Sequence, residues 1–156
     1  MSAAADDQAL DEAGTVPALL AATARLLVAR LSATACTISR AIGDLLVDLV
    51  DYSPEGPVQI GHGYLISDFP ATREVLEQLE ARAVYVDDPA ADRREVELLR
   101  EVGFDSLLML PLTCDGKSWG LVEVYGRTHE GFATGDLATA QAIVDRSSVV
   151  LERLAD

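Results

Sequence analysis

The sequence predicts an α+β domain built on a mostly antiparallel sheet of about five to six strands. Three observations predict it. Two pairs of strand-length apolar runs, one within residues 34–52 and one from Asp105 to Gly126, each fold about a short Gly/Asp turn. An amphipathic helical pattern stands towards each end of the chain. Between them there is no internal repeat and no strand–helix–strand alternation, so a parallel sheet is not expected.

Residues 1–14 are rich in alanine and acids, with little periodicity, and read as an acidic flexible tail; the folded domain is expected over 15–156. Thr15-Val16-Pro17 is a helix start, because proline near the first helical position costs no hydrogen bond. Leu19, Leu20, Thr23, Leu26, Leu27 and Leu31 then recur at three- and four-residue steps. Thr34–Ala41 and Leu45–Tyr52 are strands about Gly43-Asp44, and simple alternation sets Asp48 and Asp51 on opposite faces. Gly61-His62-Gly63 enters a short strand at Tyr64-Leu65-Ile66, and a helix follows from Pro70 with Val75, Leu76 and Leu79 on one face. Ala83-Val84-Tyr85-Val86 is a short strand. Asp92 and Glu95 are spaced as a capping box for a helix that stops at Gly103. The second hairpin alternates Leu107, Met109 and Pro111 against Ser106, Leu108, Leu110 and Leu112, while Leu121, Glu123 and Tyr125 share a face of its return strand. The last helix starts near Asp136 and keeps one apolar seam to Leu154.

The charge balance narrows the partners. Twenty-six acids against 12 bases give a net charge of -14, and Lys117 is the single lysine. Such a surface repels phosphate backbones and anionic headgroups, so neither nucleic acid nor membrane is an expected partner. Cys36 and Cys114 are far apart with no CxxC, which suits reduced thiols in a cytoplasmic protein better than a disulfide scaffold. The acidic N-terminus does not read as a signal peptide, and no apolar run approaches the ~20 residues of a membrane span.

From Val16 to Leu154 the chain resembles a GAF domain. The most specific part runs from Glu101 to Phe132: Gly103-Phe104, Leu110-Pro111-Leu112, Asp115-Gly116, the strand Gly120-Leu121-Val122-Glu123-Val124-Tyr125, and Phe132. Val84 to Asp88 matches a short V-x-V-x-D strand of the family. The resemblance implies a sheet with the first and last helices on one face, and short helices and loops between residues 60 and 104 roofing a small-molecule pocket on the other. It implies a sensory, signal-transducing module rather than an enzyme, often a parallel homodimer through its terminal helices. Leu27, Leu31, Val149 and Val150 are the apolar positions left for that dimer seam.

The candidate pocket residues are His62, Tyr64, Ile66, Phe69, Val86, Phe104, Met109 and Glu123. An acid at Glu123, inside an apolar central strand, must reach solvent or meet a donor. The sequence contains no asparagine, so the NKFDE signature of cyclic-nucleotide-binding members is not intact. Neither cysteine neighbours a histidine, as a covalent bilin usually requires in this family, and His62 is the one imidazole placed to face haem. The cysteines also lie outside the motif of the family's free methionine sulfoxide reductases, which leaves that redox enzyme as a distant alternative. No metal and no covalent chromophore are therefore expected; the ligand itself is unknown, and a pocketless dimerisation module is the other reading.

Overall fold

The computed structural model describes residues 3–56, 64–127 and 132–155. Helices α1 (Ala3–Asp11) and α2 (Val16–Leu31) lead into strands β1 (Ala35–Ile42) and β2 (Leu45–Tyr52). The two-residue strand β3 (Tyr64–Leu65), a 3-10 turn (Ile66–Asp68) and α3 (Pro70–Gln78) come next. Then follow β4 (Arg82–Tyr85), α4 (Arg93–Val102), β5 (Ser106–Cys114), β6 (Lys117–Gly126) and α5 (Asp136–Ala155). The six strands form one sheet in the order β3-β2-β1-β6-β5-β4, and every neighbouring pair is antiparallel. The α+β fold class read from the sequence is the fold observed.

The centre of the sheet is the second hairpin. Cys114 pairs with Lys117 across Asp115 and Gly116, whose φ angles of 54° and 76° are the left-handed pair that a two-residue hairpin turn demands. Where β6 crosses β1, a Cβ built on Gly120 would stand 2.2 Å from the Ser39 carbonyl oxygen, so only glycine fits the Gly-Leu strand start.

Two apolar layers use the two faces. On one, α2 and α5 cover Cys36, Ile38, Leu108, Leu110, Leu112, Val122 and Val124. The helices meet through small residues: the hydroxyls of Thr23 and Ser147 lie 2.8 Å apart, and each also reaches the carbonyl four residues back in its own helix. On the other face, α3, α4 and the 3-10 turn pack over Leu46, Leu107, Met109, Leu121 and Tyr125 through Ala71, Val75, Leu76, Leu99 and Ile66.

Three sequence expectations are corrected here. The acidic stretch read as a flexible tail forms helix α1, which Leu10, fully buried, anchors to the helical layer. Its acids are used: Asp6 takes two bonds from Arg30 of α2, and Asp11 two from Arg146 of α5. Burial and pairing are long-range properties that local periodicity does not carry. Secondly, Asp48 and Asp51 share a face. Ile38 pairs with Val50 but Ser39 with Asp48, and the extra residue, Leu49, shifts the alternation by one. Thirdly, Leu27, Leu31 and Val150 are not left over for a partner. They are buried within the chain itself, and of the four seam positions only Val149 is exposed.

Candidate functional site

The roofed face of the sheet gathers an unusual set of polar groups among its apolar ones. Glu123 of β6 faces Thr37 of β1 and Met109 of β5; Thr37 in turn faces Asp51, and Ser39 faces Asp48. Side chains directly opposite one another in a sheet share a face, so three carboxyls stand on this side of the strands. Ser39 donates to Asp48 Oδ1 at 2.8 Å, while Asp48 Oδ2 is buried without a hydrogen-bond partner among the described residues. Glu123 is 5 % exposed, and its neighbour two residues on, Tyr125, donates its hydroxyl to Glu123 Oε2 at 3.1 Å.

The roof adds a fourth carboxyl. Glu95 of α4 is buried and accepts a short hydrogen bond from the Thr72 hydroxyl of α3. Thr72 also touches Met109 Sδ, at 3.6 Å, so this contact joins both roof helices to the sheet. Glu95 therefore does not close the capping box that its spacing suggests. Asp92 caps α4 alone, through Arg94 N, and uses its other oxygen for Ala71 N in the first turn of α3.

Burial governs the charge state of these groups. Desolvation pushes the Glu123 carboxyl up to about 8, helped by the nearby charges of Glu95, Asp48 and Asp51 and opposed by the Tyr125 bond. It pushes Glu95 up to about 7, against the Thr72 bond. Tyr64 and Tyr125 are raised as well, first by burial and next by the Glu123 charge. Both acids of this pair are thus poised to bind or release protons near neutrality.

Seven of the eight candidate pocket residues lie among the described residues, and the structure sets them on this roofed side. Ile66, Phe104 and Met109 belong to its apolar cluster, and Val86 packs against that cluster. Glu123 shares the sheet face. Tyr64 and Phe69 meet edge to face at 5.4 Å, and Arg94 lies 5.7 Å over Phe69. His62 falls outside the described residues. The pattern alone missed Thr72 and Glu95; Tyr125 was visible as sharing a face with Glu123, but its bond to that acid was not.

Among the described residues, the interior between roof and sheet is packed around Phe104, Met109 and Tyr125. Phe104 and Tyr125, with ring centroids 4.9 Å apart, and Met109 are each at most 2 % exposed. A cleft of about 460 Å³ opens at the rim, lined by Ala41, Asp44, Ile66, Arg73, Leu76 and Ser118, among others. Ile66 and Leu76 line it and also belong to the inner cluster, so the cleft reaches that cluster's edge. Of the described candidate pocket residues, Ile66 alone lines it. Among the described residues no group of three or more His, Cys, Asp and Glu could hold a metal ion, and no helix is long and apolar enough to cross a membrane. Cys36 is wholly buried on the helix side, where burial pushes its thiol up, and Cys114 packs against the same helix-side cluster.

With this geometry in place, the chain can be set beside known proteins. No curated protein sequence matches it. Among solved structures, the chromophore-binding domain of the bacteriophytochrome RpBphP3 from R. palustris matches with a TM-score of 0.84 at 12 % identity, over 97 % of this chain and 60 % of that one. The chain therefore spans less than two thirds of that relative. The phycoerythrobilin-bound GAF domain of a cyanobacterial phytochrome matches with a TM-score of 0.81 at 21 % identity, over 97 % of this chain and 93 % of that one. A phycocyanobilin-bound GAF domain, also cyanobacterial, gives 0.80 at 20 %, over 99 % and 96 %.

These likenesses correct the expectation that no covalent chromophore is involved. Two GAF domains with this fold over nearly their whole length are bilin-bound, so the fold accommodates such a group. The GAF domain family model matches residues 15–151. The chain belongs to the GAF domain family.

Proposed function

We propose that this chain is a small-molecule-binding sensory module, acting in signal transduction inside the cell rather than as an enzyme. The observation that carries this reading is the roofed sheet face. It places aromatic and apolar groups (Tyr64, Phe69, Phe104, Met109) beside a few convergent polar ones, the composition of a ligand site. The rim cleft beside it lies in the usual size range of such sites, about 300–1,000 Å³. The bilin-bound GAF neighbours support a small organic ligand and make a linear tetrapyrrole one class to test.

Signal output runs, in this reading, through α2 and α5, which back the same strands that the ligand faces. A homodimer along α5, with Val149 in its seam, is the arrangement we favour. Val149 is 54 % exposed, while its neighbours Ser148 and Val150 are buried. Sedimentation at tens of micromolar tests it, and a monomer contradicts it.

A second reading, a pocketless interaction module, is favoured by the packed interior at Phe104, Met109 and Tyr125. Thermal unfolding against a panel of nucleotides, metabolites and linear tetrapyrroles separates the two. A ligand at ~100 times its Kd stabilises by about 2.7 kcal/mol, a shift of several degrees, whereas the interaction module answers to none.

A further inference from the structure

The buried acids under the roof need an explanation that a packed apolar interior does not supply. Glu95 and Glu123 project from opposite sides of one interface, α4 above and β6 below, and the Glu95 charge acts on Glu123. Asp48 and Asp51 of β2 face the same space, Tyr64 of β3 and Tyr125 of β6 border it, and Asp92 stands at the start of α4. No positively charged group among the described residues bonds to Glu95 or Glu123. The arginines on and beside the packed elements are engaged elsewhere: Arg94 over Phe69, Arg100 on the Val86 carbonyl, Arg127 over Phe104 and on Glu55, Arg82 with Glu74 in solvent, Arg93 with Glu97. Arg40 lies over Trp119, at the helix-side cluster, and Arg73 stands exposed on the cleft wall.

We propose that the α3–α4 roof is a proton-gated cover, closed on the sheet while Glu95 and Glu123 are protonated and lifting when both ionise. A protonated carboxyl is a neutral hydrogen-bonding group that can stay under an apolar roof. Two buried carboxylates, with half-buried Asp48 and exposed Asp51 on the same sheet face, repel and demand water. The roof moves as a unit, because Asp92 bonds to the first turns of both α3 and α4 and Thr72–Glu95 ties them again. It meets the sheet through Thr72 on Met109, the Ser118 hydroxyl on the Leu76 carbonyl, the exposed Glu74–Arg82 ion pair and the apolar cluster. The upward displacement of both carboxyls sets the gate between weakly acidic and weakly alkaline pH. This device goes beyond ligand sensing and operates whether or not a ligand is bound.

The chain supplies its own probe. Met109 and Met1 are its two methionines, so methyl-labelled methionine gives two signals at most, and that of Met109, assigned by its loss in Met109→Leu, touches Thr72 and faces Glu123. The Met109 methyl resonance is followed from pH 5 to pH 9, alongside amide exchange corrected for base catalysis. The expected result is a titration centred near pH 7–8, with protection in α3 and α4 falling at least tenfold more than in α5. In the E95Q/E123Q double variant, which keeps the neutral shapes, the titration disappears and the roof stays protected at pH 9. A wild-type resonance that does not move, roof and α5 amides that loosen together, or a titration surviving in the double variant each overturn the proposal. If the double variant fails to fold, the wild-type resonance and exchange decide, with E95Q alone required to shift the midpoint.

Discussion

The backbone amide of Ala71 donates to the carboxylate of Asp92, 21 residues further on, at 3.0 Å. The other oxygen of the same carboxylate caps α4 through Arg94 N. One side chain thus satisfies the exposed amides of two helix starts and fixes the angle between them.

Asp92→Ala is therefore expected to cost more than a single cap. A lost N-cap destabilises by about 0.5–2 kcal/mol, and here two helix starts lose their acceptor together. Denaturant unfolding should show a loss towards the upper end of that range, with roof amides more exchangeable. A loss below ~0.5 kcal/mol contradicts the double role.

Gly120→Ala should be destabilising by roughly 1–3 kcal/mol, because the new methyl meets the Ser39 carbonyl of the neighbouring strand and the β1–β6 pair must part. Thermal or chemical unfolding measures it. A neutral result would mean that the two strands are not held in this register.

The same glycine shows what could be read without coordinates. Gly120-Leu121 and Asp115-Gly116 announce strand start and turn, because each rests on backbone sterics local to a few residues. The alternation of Leu107 and Met109 against Leu108 and Leu110 was likewise legible, and the two clusters follow it. Asp48 and Asp51 were misplaced because a bulge is a property of the strand pair: Leu49 carries no mark of being the extra residue. Glu95 looked like a cap partner at three residues from Asp92, and only packing against Thr72 of another helix reassigns it. The ionic docking of α1 joins residues 24 and 135 positions apart, which no local pattern reports.

That docking carries a pH signature. Hydrogen bonds from Arg30 and Arg146 hold the Asp6 and Asp11 carboxyls below the ordinary 3.8. A lowered folded-state value means the unfolded chain binds more protons in that window. Their contribution is therefore present above pH 3.8 and lost as pH falls through the folded values. Glu95 and Glu123, raised from 4.5, act in the opposite sense: their contribution is full below 4.5 and lost as pH rises through about 7 and 8. Stability should peak in weakly acidic solution, and below the peak the amides of α1 should exchange before those of α5. A peak above pH 8 contradicts these assignments.

Leu10→Ala separates packing from pairing in the same helix. Leu10 is fully buried, and truncating such a leucine costs about 2–5 kcal/mol. An unfolding midpoint unchanged by the substitution would show that α1 is not part of the folded core.

The most direct test of the sensory reading is to add nucleotides, metabolites and phycocyanobilin singly, recording the melting temperature and the Met109 methyl resonance together. The account predicts at least one compound that raises the melting temperature by several degrees and moves Met109, with both effects lost in Ala41→Phe, which fills the rim cleft. A panel that changes neither quantity, or a response that Ala41→Phe leaves intact, contradicts ligand sensing at the roofed face.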